Sequence, residues 1–156
     1  MFPAGEDGRI PVVAVTGVNG KTTTTRFIAH ILNQKGWCVG LTSTDGIFVG
    51  ARMLDSGDCS GPKSARSVLS YPLTDAAVLE VARGGILREG LAFDYCDVAV
   101  VTNIGEGDHL GLNEIHTPQQ LASVKQCIVG AVSATGTAVL NASDPLVVQM
   151  AETYLR

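Results

Sequence analysis

Charge is scarce in this 156-residue chain, where Asp, Glu, Lys and Arg together make up 17%. The little there is sums to −4, with no run of lysines or arginines, so a nucleic-acid-binding surface is excluded. The apolar runs stop far short of the roughly 20 residues that a membrane helix needs, and no membrane contact is expected. The opening MFPAGEDGRIP has no apolar segment behind a basic start, so no secretory signal is expected. C-x-x-C pairs are missing too. Cys38, Cys59, Cys96 and Cys127 are irregularly spaced, which argues against a zinc or redox site and for reduced thiols in a cytoplasmic protein.

What is present is a globular composition, 46% hydrophobic, in a length typical of one domain. Short apolar runs rich in valine alternate with helical patterns, the signature of βαβ units around a mostly parallel sheet. Residues 10–16 (IPVVAVT) are nearly all apolar, as for a strand covered on both faces. Residues 21–34 carry Phe27, Ile28, Ile31 and Leu32 at helical spacing, and Gly36 ends the helix. A second strand is expected over 37–42, a hairpin over 46–54 turning at Gly50-Ala51, and a short helix over 64–70. Residues 75–80 and 97–103 read as buried strands that each close on a polar residue. Thr117-Pro118 caps a helix expected to run to about residue 132. A strand over 136–141 follows, then a last helix opened by Ser143-Asp144-Pro145. The fold class expected is α/β, a P-loop-containing, doubly wound sheet flanked by helices. Residues 1–9 read as an N-terminal linker and 10–156 as one domain, truncated at its C-terminal end.

The chemistry concentrates in VAVTGVNGKTTTTRF, residues 13–27. A buried strand, a glycine turn and Lys-Thr at a helix start form the context of a phosphate-binding loop, although Val15 stands where the usual spelling has glycine. The backbone amides of residues 17–22 would wrap phosphates, Lys21 would reach the β- and γ-phosphates, and the Thr22 hydroxyl would ligate Mg²⁺. A dinucleotide site is excluded because G-x-G-x-x-G is absent, and a GTP switch because no N-K-x-D occurs. Ligands in parallel sheets sit beyond the carboxyl ends of the strands, so Thr16, Thr42, Glu80 and Asn103 should gather there. Glu80 is the expected metal carboxylate, and His109, after Asp108, a second metal ligand.

T-G-x-N-G-K-T over 16–22, a glutamate closing a buried strand at Glu80, Thr102-Asn103-Ile104 and Asp108-His109-Leu110 together resemble the ATP-dependent Mur ligase family. In that family the loop is normally G-x-x-G-K-T, which accounts for Val15. The wording of GDCSGPKSA, LEVARGGILREGL and VLNASDP is most similar to the branch of the family that builds an arginine-bearing aspartate polymer. Ser143 departs from it, standing where a carboxylate is common. The resemblance implies a central ATP-binding domain of an amide-bond ligase. ATP would phosphorylate a carboxylate, and an amine, here of arginine, would attack the acyl phosphate at the aspartate β-carboxyl.

It further implies that Gly17, Asn19, Gly20, Lys21, Thr22, Thr23 and Asn103 bind the nucleotide. Thr22 and Glu80 would hold a first Mg²⁺ and His109 a second metal ion. Lys125 matches a lysine often carbamylated to hold that second ion, with an exposed helix lysine as the alternative. Arg83, more than Arg88, would hold phosphate or an anionic polymer; Asp45 and the loop 57–62 fall on the acceptor side. Two other readings stay open. One is a Mur-type ligase making cell-wall or glutamate-chain amides. The other is a module, homo-oligomeric or not, that binds nucleotide and joins nothing alone.

Overall fold

The computed structural model describes residues 8–105, 110–111 and 114–154. Among the described residues, seven strands form one sheet: β1 (Val12–Thr16), β2 (Val39–Ser43), β3 (Gly46–Val49), β4 (Arg52–Ser56), β5 (Ala76–Glu80), β6 (Cys96–Val101) and β7 (Val132–Leu140). Their order is β4-β3-β2-β5-β1-β6-β7. The five strands from β2 to β7 in that order run parallel, while β3 and β4 form an antiparallel hairpin at one edge. The helices among the described residues are α1 (Lys21–Gln34), α2 (Pro62–Leu69), α3 (Arg83–Glu89), α4 (Pro118–Lys125), α5 (Cys127–Gly130) and α6 (Pro145–Tyr154).

Because side chains alternate across a strand, each valine-rich run feeds two cores. Val12 and Ala14 of β1, with Ala77, Leu79, Ala99 and Val101, pack against α2, α4, α5 and α6. Val13 and Val15 face the other way, where with Val39, Leu41 and Val78 they meet Ala29, Ile28 and Leu32 of α1. The helical stripe expected on α1 is therefore split. Ile28 and Leu32 pack on the sheet, whereas Phe27 is 65% and Ile31 46% exposed.

The expected helix over 118–132 breaks at Gln126 into α4 and α5, and the chain then enters β7 four residues before the expected start at 136. A register shift between Cys96 and Val98 accommodates that longer strand. The cap at Thr117 is present as a full capping box with Gln120. Helix α3 was not expected from the sequence, since two glycines in RGGILRE hide it. The 46–54 hairpin turns as expected at Gly50, with φ of 57°. No helix among the described residues is long and apolar enough to cross a membrane.

Candidate active site

Strand β1 delivers the chain into the loop 17–20 at the centre of the sheet. Gly17 has φ of 147°, and a Cβ there would lie 1.9 Å from Thr102 Oγ1, so only glycine lets the loop pass this close to the end of β6. The same neighbour fastens the loop. Val18 N–H donates to the Asn103 carbonyl (3.0 Å), and Asn19 N–H to Asn103 Oδ1 (2.9 Å). Asn103 Nδ2 and Thr102 Oγ1 both donate to the Asn19 carbonyl, at 2.9 and 2.7 Å. The structure thus places the Asn103 side chain as a brace on the loop backbone.

Gly20, at φ of 81°, is the N-cap of α1 and brings no side chain to the first-turn amides. Those N–H groups, at the positive end of a 14-residue helix, make an anion site out of backbone alone. The Lys21 ammonium curls over the loop and donates to the Val18 carbonyl at 2.9 Å. Thr25, in the next turn, returns its hydroxyl to the Lys21 carbonyl (2.6 Å), which settles a threonine inside a helix. Asn19 and Thr23 are exposed on the rim.

Glu80 ends β5 one strand away and is 2% exposed. Its Oε2 accepts from Thr22 Oγ1 (2.8 Å) and from Thr44 N–H (3.3 Å). The Oε1 atom is buried and has no hydrogen-bond partner among the described residues. A buried carboxylate oxygen in that condition is costly unless a cation shares it. The Thr22 hydroxyl on the other carboxylate oxygen and the Thr44 hydroxyl 3.0 Å from it add two hard oxygen donors to this corner of the site. This donor set fits a divalent cation such as Mg²⁺. Thr44 was missed in the sequence; its only signal is its place two residues past the strand-closing Thr42.

Of the other strand-closing residues, Thr16 Oγ1 donates to the Val81 carbonyl (2.7 Å), and Thr42 Oγ1 is buried without a partner among the described residues. Arg83 opens α3 three positions after Glu80 and is buried, 7% exposed. Lys125 is not an exposed helix lysine. It is 1% exposed on the stripe of α4 shared with Leu121 and Ala122, and its Nζ donates to the Gly17 carbonyl at 3.0 Å. His109 and Asp108 lie outside the described residues, and no group of three or more His, Cys, Asp or Glu is placed to hold a metal among those described. Asp45 is drawn away into an exposed ion pair with Arg26 (2.6 Å). Asp144 serves the backbone, accepting from Ile104 N–H (2.7 Å) and capping α6.

Residues 15–154 match the model of the Mur ligase middle domain. The cyanophycin synthetase of Geminocystis herdmanii is 59% identical over 97% of this chain, and that of a Synechocystis species 56% over the same share. The chain spans 17% of the length of each of these relatives. A UDP-N-acetylmuramoyl-L-alanyl-D-glutamate–2,6-diaminopimelate ligase of Chlorobaculum tepidum is 29% identical over 92% of this chain and 28% of its own length. Among solved structures, a ligase of that same name shares the fold with a TM-score of 0.75, at 23% identity over 92% of this chain and 29% of that one. E. coli FolC in complex with DHPP and ADP gives a TM-score of 0.55 at 25% identity, over 78% of this chain and 35% of FolC. A match that runs from the end of β1 to the last helix, on a sheet of the same build, leads to one assignment: the chain belongs to the Mur ligase family, through its middle domain.

Proposed function

We propose that this chain is the ATP-binding part of a ligase that forms carbon–nitrogen bonds through an acyl phosphate. Within that class, it serves a cyanophycin synthetase-like enzyme that joins arginine to the β-carboxyl of aspartate on a growing polymer. The observation that carries the reading is Glu80, buried with one oxygen on Thr22 and the other orphaned, beside a loop built to wrap phosphates. ADP in the related FolC complex and identities of 51–59% to five cyanophycin synthetases support its two halves.

In this reading a carboxylate oxygen attacks the γ-phosphorus of ATP, and the bond from that phosphorus to ADP breaks. The arginine amine then attacks the acyl carbon, the bond to phosphate breaks, and the amine loses a proton. Two anions must meet in the first step, so preorganised positive charge is the main requirement. Lys21 and the first-turn amides of α1 supply it at the phosphates, and Arg83 at the start of α3 supplies a further buried cation. Thr22, Thr44 and Glu80 would hold Mg²⁺, which would supply positive charge beside the phosphates. Lys125 and Asn103 fix the loop that carries all of this.

A second reading is favoured by the 17% coverage of the cyanophycin synthetases: this chain alone binds nucleotide and joins nothing. The test is ADP release by the full-length protein carrying this domain, with and without arginine, in the presence of an aspartate-containing primer. Arginine-dependent release is expected. Release that responds to diaminopimelate or glutamate instead would transfer the domain to a cell-wall or glutamate-adding ligase.

A further inference from the structure

We propose that Asn141, on the turn that follows β7, is a positioning residue for the phosphate loop and acts through Thr102. This rests on the nucleotide-binding reading above and adds to it a residue one strand further from the loop.

Beyond the ends of β1, β6 and β7, a hydrogen-bond relay runs across the sheet in strand order. Asn141 Nδ2 donates to the Thr102 carbonyl (2.8 Å), and Thr102 Oγ1 donates to the Asn19 carbonyl (2.7 Å). Parallel pairing of β6 with β7, in register at Val101 and Leu140, sets Asn141 beside Thr102. The Asn141 N–H carries that ladder one step on, to the Val101 carbonyl at 3.3 Å.

The segment 102–104 is pinned from behind at both ends. Asn141 holds the carbonyl of Thr102, and Asp144 Oδ2 accepts from Ile104 N–H (2.7 Å) while its Oδ1 caps α6 at Leu146 and Val147. Ile104 is 0% exposed, so its side chain anchors the same end in the core. Asn103, between the two pins, is thereby presented forward, with its amide on Asn19 and its carbonyl on Val18 N–H. The far side has no slack. A Cβ on Gly17 would already lie 1.9 Å from Thr102 Oγ1, so a displacement of Thr102 is passed to the loop.

Asn141 is engaged within the fold on every side. Its Oδ1 accepts from Ser143 N–H (2.9 Å) and its carbonyl from Asp144 N–H (3.2 Å). With Nδ2 on Thr102 and its N–H on Val101, both ends of the amide and both backbone groups are in use. That is the arrangement of a residue that orients others, not of one that grips a ligand. Position 143 enters the relay through its backbone N–H, so Ser143 serves there as well as a carboxylate would. Bonds linked in series polarise one another, and losing the outer one weakens the next.

The test uses the full-length protein carrying this domain, with Asn141→Ala, Thr102→Val and the double variant. Thr102→Val keeps the shape of the side chain and removes its donor. Each single variant raises the KM for ATP about three- to tenfold, the worth of one hydrogen bond, and leaves the KM for arginine and for the primer unchanged. The double variant is no worse than the more severe single one, because both cut the same relay. In Asn141→Ala, amide exchange read by mass spectrometry quickens in peptides carrying Val18 and Asn19 and stays unchanged in β2 and β5. Effects that multiply in the double variant would make Asn141 a ligand of the nucleotide itself. That result, an unchanged KM for ATP in Asn141→Ala, or exchange quickened throughout the domain overturns the positioning role and leaves the nucleotide reading standing. A wild type whose turnover does not depend on ATP overturns the nucleotide reading and this proposal with it.

Discussion

Lys125 Nζ and the Gly17 carbonyl lie 3.0 Å apart across 108 residues of sequence, tying the end of α4 to the turn that begins the phosphate loop. Lys125 is 1% exposed, so this bond joins α4 to the loop away from water. Truncating this side chain removes packing as well as the bond. Lys125→Ala is expected to lower stability by about 2–4 kcal/mol, and Lys125→Met, which keeps most of the volume, by about 1–2. Urea unfolding of both variants reads the difference. Equal stability of Lys125→Met and wild type would mean that the bond to Gly17 contributes nothing to holding the loop.

Lys21→Ala removes the cation of the loop and leaves its backbone intact. Calorimetric titration with MgATP should show affinity reduced by about 10- to 100-fold. Unchanged affinity would dismiss Lys21 as a phosphate ligand.

Glu80→Gln separates the metal role from a structural one. The amide oxygen still accepts from Thr22 and Thr44, while the buried charge is gone, so stability should stay level or rise slightly. Nucleotide affinity should lose its dependence on Mg²⁺. A variant that keeps the wild-type response to Mg²⁺ would rule out this carboxylate as the metal ligand.

Arg9 hydrogen-bonds Asp94 and lies over the Tyr95 ring, 3.9 Å from its centroid. The Arg9 side chain, followed by backbone bonds, holds the Asp94 carboxyl down at about 2, against an ordinary value of 3.8. A depressed carboxylate stabilises the fold above the unfolded value and loses that contribution as pH falls from about 4 to about 2. Carbon-detected NMR titration should show the low midpoint in wild type and a return toward 3.8 in Arg9→Ala. Identical midpoints in the two proteins would assign the shift to something other than Arg9.

Cys96 is fully buried on β6, and burial, with the nearby Asp97 charge second, pushes its thiol up to about 11. A raised thiol favours the folded state below its unfolded value near 9 and ceases to do so as pH climbs toward about 11. At pH 8 a thiolate-seeking reagent should therefore modify half-buried Cys38 well before Cys96 in the native protein. Equal rates at both would show that β6 opens on the timescale of the reaction.

Much of the site was legible because its parts are local. A valine run, a glycine turn and Lys-Thr at a helix start need no distant partner to be recognised, and β1, the loop and α1 stand where the pattern puts them. Glu80 was legible for a related reason: a carboxylate after AAVL has nowhere to go but the strand's end. Helix α3 was not, since Gly84 and Gly85 are poor helix formers, and the reason for glycine at 85, the close approach of Pro62, lies in another segment. Thr44 gave no period or spelling of its own, and only the return of β2 beside β5 sets its N–H on Glu80.

By itself, then, the sequence determined the class of sheet, the place of the phosphate loop and the family, because periodicity and short-range turn chemistry act within a few residues. Only the tertiary structure decided that Lys125 is buried against Gly17, that Asn103 braces Asn19, and that Asp45 turns to Arg26. Each of these pairs joins segments brought together by strand order. Whether a lysine or aspartate meets water, a carbonyl or a counter-charge depends on which elements the fold sets beside it, and that is encoded in no stretch of the chain alone.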